Sequence, residues 1–344
     1  MLNKLFVTII CVISSINAGF SQVEKDGLVK WLTFKEAQEK NKTLQKPFLV
    51  DIYTDWCGWC KHMMKTTYSN PAIADYINNN FYAVKFDAET KDTIEYNGKI
   101  YKPLSPDPKT PHELAIKFLG SSLSYPSTMF ITNNFEYNLL TQGYLDEKKI
   151  EPILIFMVEN AWRTSVFDDF NKHFTNTFVD TNFVKAKVNT YSFSDLEKLQ
   201  KKKPKKVIIN IGANFCNTCK VVYKTTFVDT SIANYLNKSF YLVNFNAESN
   251  DTIVFKKTKY YKQLVNNYPL HNLALMLTNN KFSLPAICLL DEQLNSIDVL
   301  NFYQSPEQMK PILKYIGSNA YKTKKYVDFI TEYRKQEPAP ANKK

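Results

Sequence analysis

Beyond its opening residues the chain has no apolar run long enough to cross a bilayer, which excludes a spanning protein for most of its 344 residues. It also lacks a clustered basic face. The net charge is +11, but the lysines are spread along the chain and read as a solvated surface, so the case for nucleic-acid binding falls away. The densest run, Lys201 to Lys206 around Pro204, reads as a loop before a strand. No histidine directly follows a cysteine pair, since Lys61 stands between Cys60 and His62, and covalent haem attachment is rejected on that ground. Glycine is scarce, at 8 residues, while Lys, Asn, Ile and Tyr are abundant. That balance fits an AT-rich bacterial genome and, with the leader described next, a periplasmic location.

What is present begins with a leader. Lys4 supplies a short positive region and Leu5 to Ile16 an apolar one of signal-peptide length. Small residues follow at Ala18, Gly19 and Ser21. Residues 1–21 are read as a signal peptide cleaved after Ser21, with Ala18 the alternative. Cys11 has no small residues before it, which argues against a lipid anchor. The mature chain is thus expected to be exported, soluble and in an oxidising compartment, with five cysteines at 57, 60, 216, 219 and 288.

The chain is one unit written twice. Shifted by 159 residues it lies on itself without a gap: Cys57 falls on Cys216, Cys60 on Cys219, Lys65-Thr66-Thr67 on Lys224-Thr225-Thr226, His112 on His271 and Pro126 on Pro285. From Pro47 to Met129 there are 26 identities over 83 positions, enough to establish a duplication. The unit spans about 150 residues, and the copies join near residues 178–187. The expected organisation is domain 1 over 22–177, domain 2 over 178–336, and a disordered Pro/Ala/Lys tail over 337–344.

In copy one, Thr33 can cap a helix from Phe34 to about Lys42. Phe48 to Tyr53 is an apolar run that reads as a buried strand, and a helix runs from Cys57 to about Thr67. Asn70-Pro71 opens another helix, ending near Asn79. Phe81 to Asp87 is a strand, and Asn97-Gly98 centres a hairpin over Ile94–Tyr101. Pro111 to Phe118 is a helix, Ser127 to Thr132 and Asn138 to Gly143 are strands. Lys148 to about Lys172 is one helix with Pro152 in its first turn. Copy two repeats the order without the Asn-Gly turn. Strands alternating with helices imply an α/β fold.

The chemistry concentrates at Cys57-Gly58-Trp59-Cys60. A strand delivers these cysteines to a helix start, where unpaired amides favour a thiolate over a thiol. A C-x-x-C in a βαβ setting is a redox signal. Its rivals are a structural disulfide and a zinc site, the latter weakened because the two pairs sit in separate repeats. The structural or relict reading is stronger for Cys216 and Cys219 than for the first pair. Cys288, in an apolar strand, reads as a buried inert thiol. His112 and His271, at helix starts, read as capping or packing residues.

On the motifs Trp56-Cys57-x-x-Cys60-Lys61 and Tyr125-Pro126, each copy resembles a thioredoxin-fold domain. It is similar to the secreted bacterial thioredoxin-like proteins and to the soluble C-terminal domain of the transmembrane thiol-disulfide interchange protein. The resemblance implies two tandem domains, each a central mixed sheet flanked by helices. It implies that Cys57 attacks and Cys60 resolves the mixed disulfide, that Asp51 is the buried carboxylate taking a proton from Cys60, and that Lys85 lies near it. Trp56 and Trp59 would shape partner contact. The cis-proline loops Tyr125-Pro126 and Leu284-Pro285 would present backbone groups to a bound peptide strand.

Copy two departs from the pattern. Asp51 becomes Asn210, Lys85 becomes Asn244, Trp56 becomes Phe215 and Gly58-Trp59 becomes Asn217-Thr218. Asn cannot take a proton, so Cys216 and Cys219 form a modified second site. The expected activity is an exported protein thiol-disulfide oxidoreductase, its direction open among reductase, oxidase and isomerase. No metal or organic cofactor is implied, since the cysteines are the redox centre. Expected partners are proteins bearing thiols or disulfides, with a membrane electron donor or acceptor a further candidate. The alternative is a client-binding module in which the cysteines are secondary.

Overall fold

The computed structural model describes residues 27–179, 185–265 and 268–336. The expected signal peptide and the 337–344 tail lie outside the described residues. The chain divides into two compact units, the first ending at Val158 and the second opening at Glu159.

In unit 1 the elements are α1 (Phe34–Thr43), β1 (Phe48–Tyr53), α2 (Gly58–Lys65), α3 (Pro71–Asn80), β2 (Tyr82–Asp87), β3 (Ile94–Tyr96), β4 (Lys99–Tyr101), α4 (Glu113–Leu119), β5 (Ser127–Ile131), β6 (Asn138–Gln142) and α5 (Glu147–Val158). The main sheet has the order β2-β1-β5-β6. β1 runs parallel to β2 and antiparallel to β5, so it is central and mixed. A parallel neighbour needs a long crossover, and α2 and α3 supply it. Helices on both sides explain why β1 reads as a near-continuous apolar run. Val50 and Ile52 enter the core that α1 and α4 close with Phe34, Ala37, Leu114 and Ala115. Asp51, between them, points to the opposite face because side chains alternate along a strand. The local signals behave as expected. Thr33 and Glu36 form a reciprocal capping box, and Asn97 and Gly98 take positive φ in the β3–β4 turn.

Unit 2 contains α6 (Phe167–Phe178), α7 (Phe193–Lys202), β7 (Lys206–Gly212), α8 (Asn217–Val221), α9 (Thr230–Ser239), β8 (Phe240–Asn246), β9 (Ile253–Phe255), β10 (Thr258–Tyr260), β11 (Lys262–Val265), β12 (Tyr268–His271), α10 (Asn272–Leu277), β13 (Ala286–Leu290), β14 (Ser296–Asn301), α11 (Pro306–Gly317) and α12 (Tyr326–Gln336). Its sheet, β14-β13-β7-β8, repeats the order and directions of the first. The architecture is therefore two mixed α/β sheets in tandem.

Three expectations need correction. The helix drawn from Lys148 to Lys172 is broken: Asn160 adopts the left-handed conformation, φ 57°, and ends it. Pro152 lies well inside α5, not in its first turn, because that helix starts at Glu147. Lys201 and Lys202 close α7 and Lys206 opens β7, so the loop is only residues 203–205. Lys206 is buried and bonded to Glu292 at 2.7 Å. Copy two also keeps its hairpin without Asn-Gly. Lys256 and Lys257 take positive φ there, 50° and 66°, because the flanking strand pairing outweighs the intrinsic cost of αL in a lysine.

Candidate active site

Cys57 is the N-cap of α2, a place usually held by Ser, Thr, Asp or Asn. Its Sγ accepts the backbone N–H of Cys60 at 3.0 Å. That amide and the helix dipole are aimed at the sulfur on which charge develops when the pair is reduced. Cys57 and Cys60 are joined as a disulfide. Both are buried, whereas Trp56 and Trp59 beside them are 64% and 62% exposed. The Trp56 indole N–H donates to the Glu89 carboxylate at 3.1 Å, and its ring stands edge-on to Tyr125 at 5.9 Å. This contact brings the Tyr125-Pro126 loop, whose peptide bond is cis, beside the motif.

Asp51 lies on β1, the strand that leads to the motif, 1% exposed and in register with Lys85 on β2. Burial pushes its carboxyl up to about 7, against the pull of the Lys85 ammonium and a long hydrogen bond from the Tyr68 hydroxyl. That bond is 3.4 Å, to Oδ1. Oδ2 has no hydrogen-bond partner among the described residues. A carboxylate with one oxygen unpartnered and a pKa near neutrality is suited to taking and returning a proton. Lys85 lies 5.2 Å from the Tyr53 ring. Lys85 and Cys60 line one cavity of about 290 Å³ with Tyr53, Thr54 and Met64.

Unit 2 builds the same frame with different chemistry. Cys216 caps α8, its Sγ accepts the Cys219 N–H at 3.1 Å, and the two are a disulfide. Leu284, before the cis Pro285, packs on Cys216 and Cys219. Phe215 is exposed, as Trp56 is, but cannot donate a hydrogen bond. On β7 and β8, Asn210 and Asn244 replace the acid and the lysine and bond to each other at 3.1 Å. After α8 the chain continues in π-helical turns over Val222–Thr226.

The remaining candidates take structural places. Cys288 is fully buried, burial pushes its thiol up to about 12, and its Sγ faces the Leu277 carbonyl at 3.4 Å. His112 and His271 cap α4 and α10 through Nδ1, at 3.1 and 3.2 Å. Among the described residues no cluster of three or more His, Cys, Asp or Glu could hold a metal ion. Sequence reasoning missed Tyr68 and Glu89. The signal for Tyr68 was in the repeat, where its partner is Phe227: the hydroxyl disappears from the copy that loses the acid.

The family profile described as "Protein of unknown function, DUF255" matches residues 13–165, and the one described as "Thioredoxin-like domain" matches residues 193–317. The chain belongs to the thioredoxin-like superfamily. An uncharacterised protein of Caenorhabditis elegans is 34% identical over 61 residues, which are 18% of this chain and 8% of that protein. The chain thus matches only a small part of that relative. Among solved structures, a thioredoxin-fold protein from Helicobacter pylori is 18% identical, covering 47% of this chain and 89% of its own, at a TM-score of 0.30. A thioredoxin from Thermus thermophilus is 10% identical over 39% of this chain and 92% of its own, at 0.29. The oxidised C-terminal domain of Neisseria meningitidis DsbD is 13% identical over 37% and 90%, at 0.25.

Proposed function

We propose that this chain is an exported thiol-disulfide oxidoreductase acting on protein cysteines, with unit 1 as the main catalytic unit. The observation that carries the reading is Cys57 at the N-cap of α2, its sulfur held on the Cys60 amide. In the reductive direction the Cys57 thiolate attacks one sulfur of a partner's disulfide. That S–S bond breaks, and the other partner sulfur leaves as a thiolate. The Cys60 thiol then gives its proton to Asp51 and attacks Cys57 Sγ. The mixed disulfide breaks, the partner leaves with two reduced sulfurs, and the Cys57–Cys60 disulfide is formed. A dithiol donor re-reduces the pair. The same steps reversed oxidise a dithiol partner. Trp56, Trp59 and the Tyr125-Pro126 loop form the face a peptide would meet, as Leu284-Pro285 does in unit 2.

A second reading, a client-holding module with secondary cysteines, draws on the exposure of Trp56 and Trp59. Replacing Cys57 and Cys60 by Ser separates the two. Loss of most insulin reduction or of scrambled-ribonuclease refolding supports the oxidoreductase, while activities equal to wild type in both assays favour the client-holding module.

A further inference from the structure

The second cysteine pair has a neighbour that the first lacks. Glu159, the opening residue of unit 2, lays its carboxylate across the start of α8. Oε1 accepts the Asn217 N–H at 3.0 Å, and Oε2 accepts the Thr218 N–H at 2.7 Å and the Thr218 hydroxyl at 2.6 Å. All three partners donate, so the group they hold is the carboxylate. In unit 1 the equivalent amides belong to Gly58 and Trp59, and among the described residues no side chain accepts from them.

The placement acts on Cys216 in two ways. A helix start favours a thiolate because its free amides carry partial positive charge. Here two of those amides face a full negative charge instead. The second effect passes through Thr218, whose Oγ1 lies 3.5 Å from Cys216 Sγ. A hydroxyl has one proton to give, and this one is committed to Glu159. Toward the sulfur Oγ1 offers only lone pairs, which can accept an S–H but repel a thiolate. Burial also pushes the Glu159 carboxyl above the usual carboxylate range, while its bonds to Thr218 and Asn217 pull it down.

We propose that Glu159 is a gate on the second cysteine pair: seated on Asn217 and Thr218, it keeps reduced Cys216 as a thiol and a poor nucleophile, and its removal from that seat releases the thiolate. This inference rests on the oxidoreductase reading and adds a regulatory residue to its second site. Glu159 touches neither sulfur, so it is a positioning residue that acts through Thr218 and the helix amides.

The test uses the full-length C57S/C60S chain, reduced with dithiothreitol, with iodoacetamide alkylation of Cys216 followed by peptide mass spectrometry at pH 7. E159Q and E159A are expected to alkylate roughly tenfold faster or more than the parent, the change that one unit of thiol pKa produces. E159D keeps the charge and is expected to stay close to the parent rate. Equal rates in all four proteins overturn the proposal, and so does an E159Q rate equal to the parent's. A measurement without a Glu159 variant guards against misfolding: in reduced wild type, Cys216 should alkylate at least about tenfold more slowly than Cys57. A Cys216 as fast as Cys57 overturns the gate. A second pair that no dithiol reduces in the folded chain overturns the underlying reading of this site instead, and the gate with it.

Discussion

Asn210 donates its side-chain amide to Asn244 Oδ1 at 3.1 Å, in the register position where Asp51 faces Lys85 in unit 1. The duplication has thus kept the register of a polar pair, with its β1 or β7 member buried, while removing its charge. An amide pair satisfies part of its own hydrogen bonding at no ionisation cost, but it cannot move a proton.

Asp51 must be ionised to take the Cys60 proton, and its carboxyl is held up to about 7. The rate of mixed-disulfide resolution in unit 1 should therefore rise as pH passes through about 7. D51N should lose that inflection and at least roughly tenfold of the rate at pH 8. Stopped-flow tryptophan fluorescence on a C216S/C219S background measures both. A D51N profile that overlays wild type would remove Asp51 from the mechanism.

The same carboxyl should leave a signature in stability. Its folded-state pKa, about 7, lies above the ordinary value of 3.8. The folded protein therefore holds a proton that the unfolded chain releases between those values. The stability this contributes is complete below the ordinary value and is lost as pH rises through about 7. The unfolding free energy of wild type relative to D51N should fall by on the order of 2 kcal/mol from pH 5 to pH 8. Urea titrations at both pH values give the difference, and a flat difference would contradict the burial argument.

Restoring charge to unit 2 should be possible only as a pair. N210D alone buries a carboxyl without its cation and should cost roughly 3 kcal/mol. Adding N244K should recover part of that loss, because the register matches Asp51 and Lys85. A double-mutant cycle by urea unfolding reads the coupling. Strict additivity would mean that the two positions do not interact.

Cys288 should be silent. Its thiol is fully buried and pushed up to about 12. In the reduced, folded chain at pH 8, iodoacetamide should label Cys57 and leave Cys288 unmodified until denaturant is added. Labelling of Cys288 in the folded chain would count against this placement.

Much of this was written locally. The Thr33 capping box, the Asn97-Gly98 hairpin and the apolar run of β1 each follow from neighbours in sequence. Cys57 and Cys60 declare themselves by spacing, while Asp51 is singled out only through the thioredoxin resemblance, and its burial is what the structure adds. What stayed hidden depends on approach through space. Glu159 meets Asn217 and Thr218 across 58 and 59 residues of chain, and a lone Glu at the end of an apolar helix is a weak signal. Tyr68 meets Asp51 across the interior of unit 1, and only its replacement by Phe227 in the repeat marked it. The Lys256-Lys257 turn was illegible because strand pairing, a tertiary effect, overrode the residues' own preference.

The central claim is that Cys57 attacks and Cys60 resolves. The most direct measurement incubates the reduced C60S chain with a disulfide-bonded protein substrate and maps the adducts by non-reducing peptide mass spectrometry. A mixed disulfide that accumulates on Cys57, and that is absent from C57S, is the predicted result. Adducts on Cys216 or Cys288 with Cys57 left free, or no adduct at all, would contradict it.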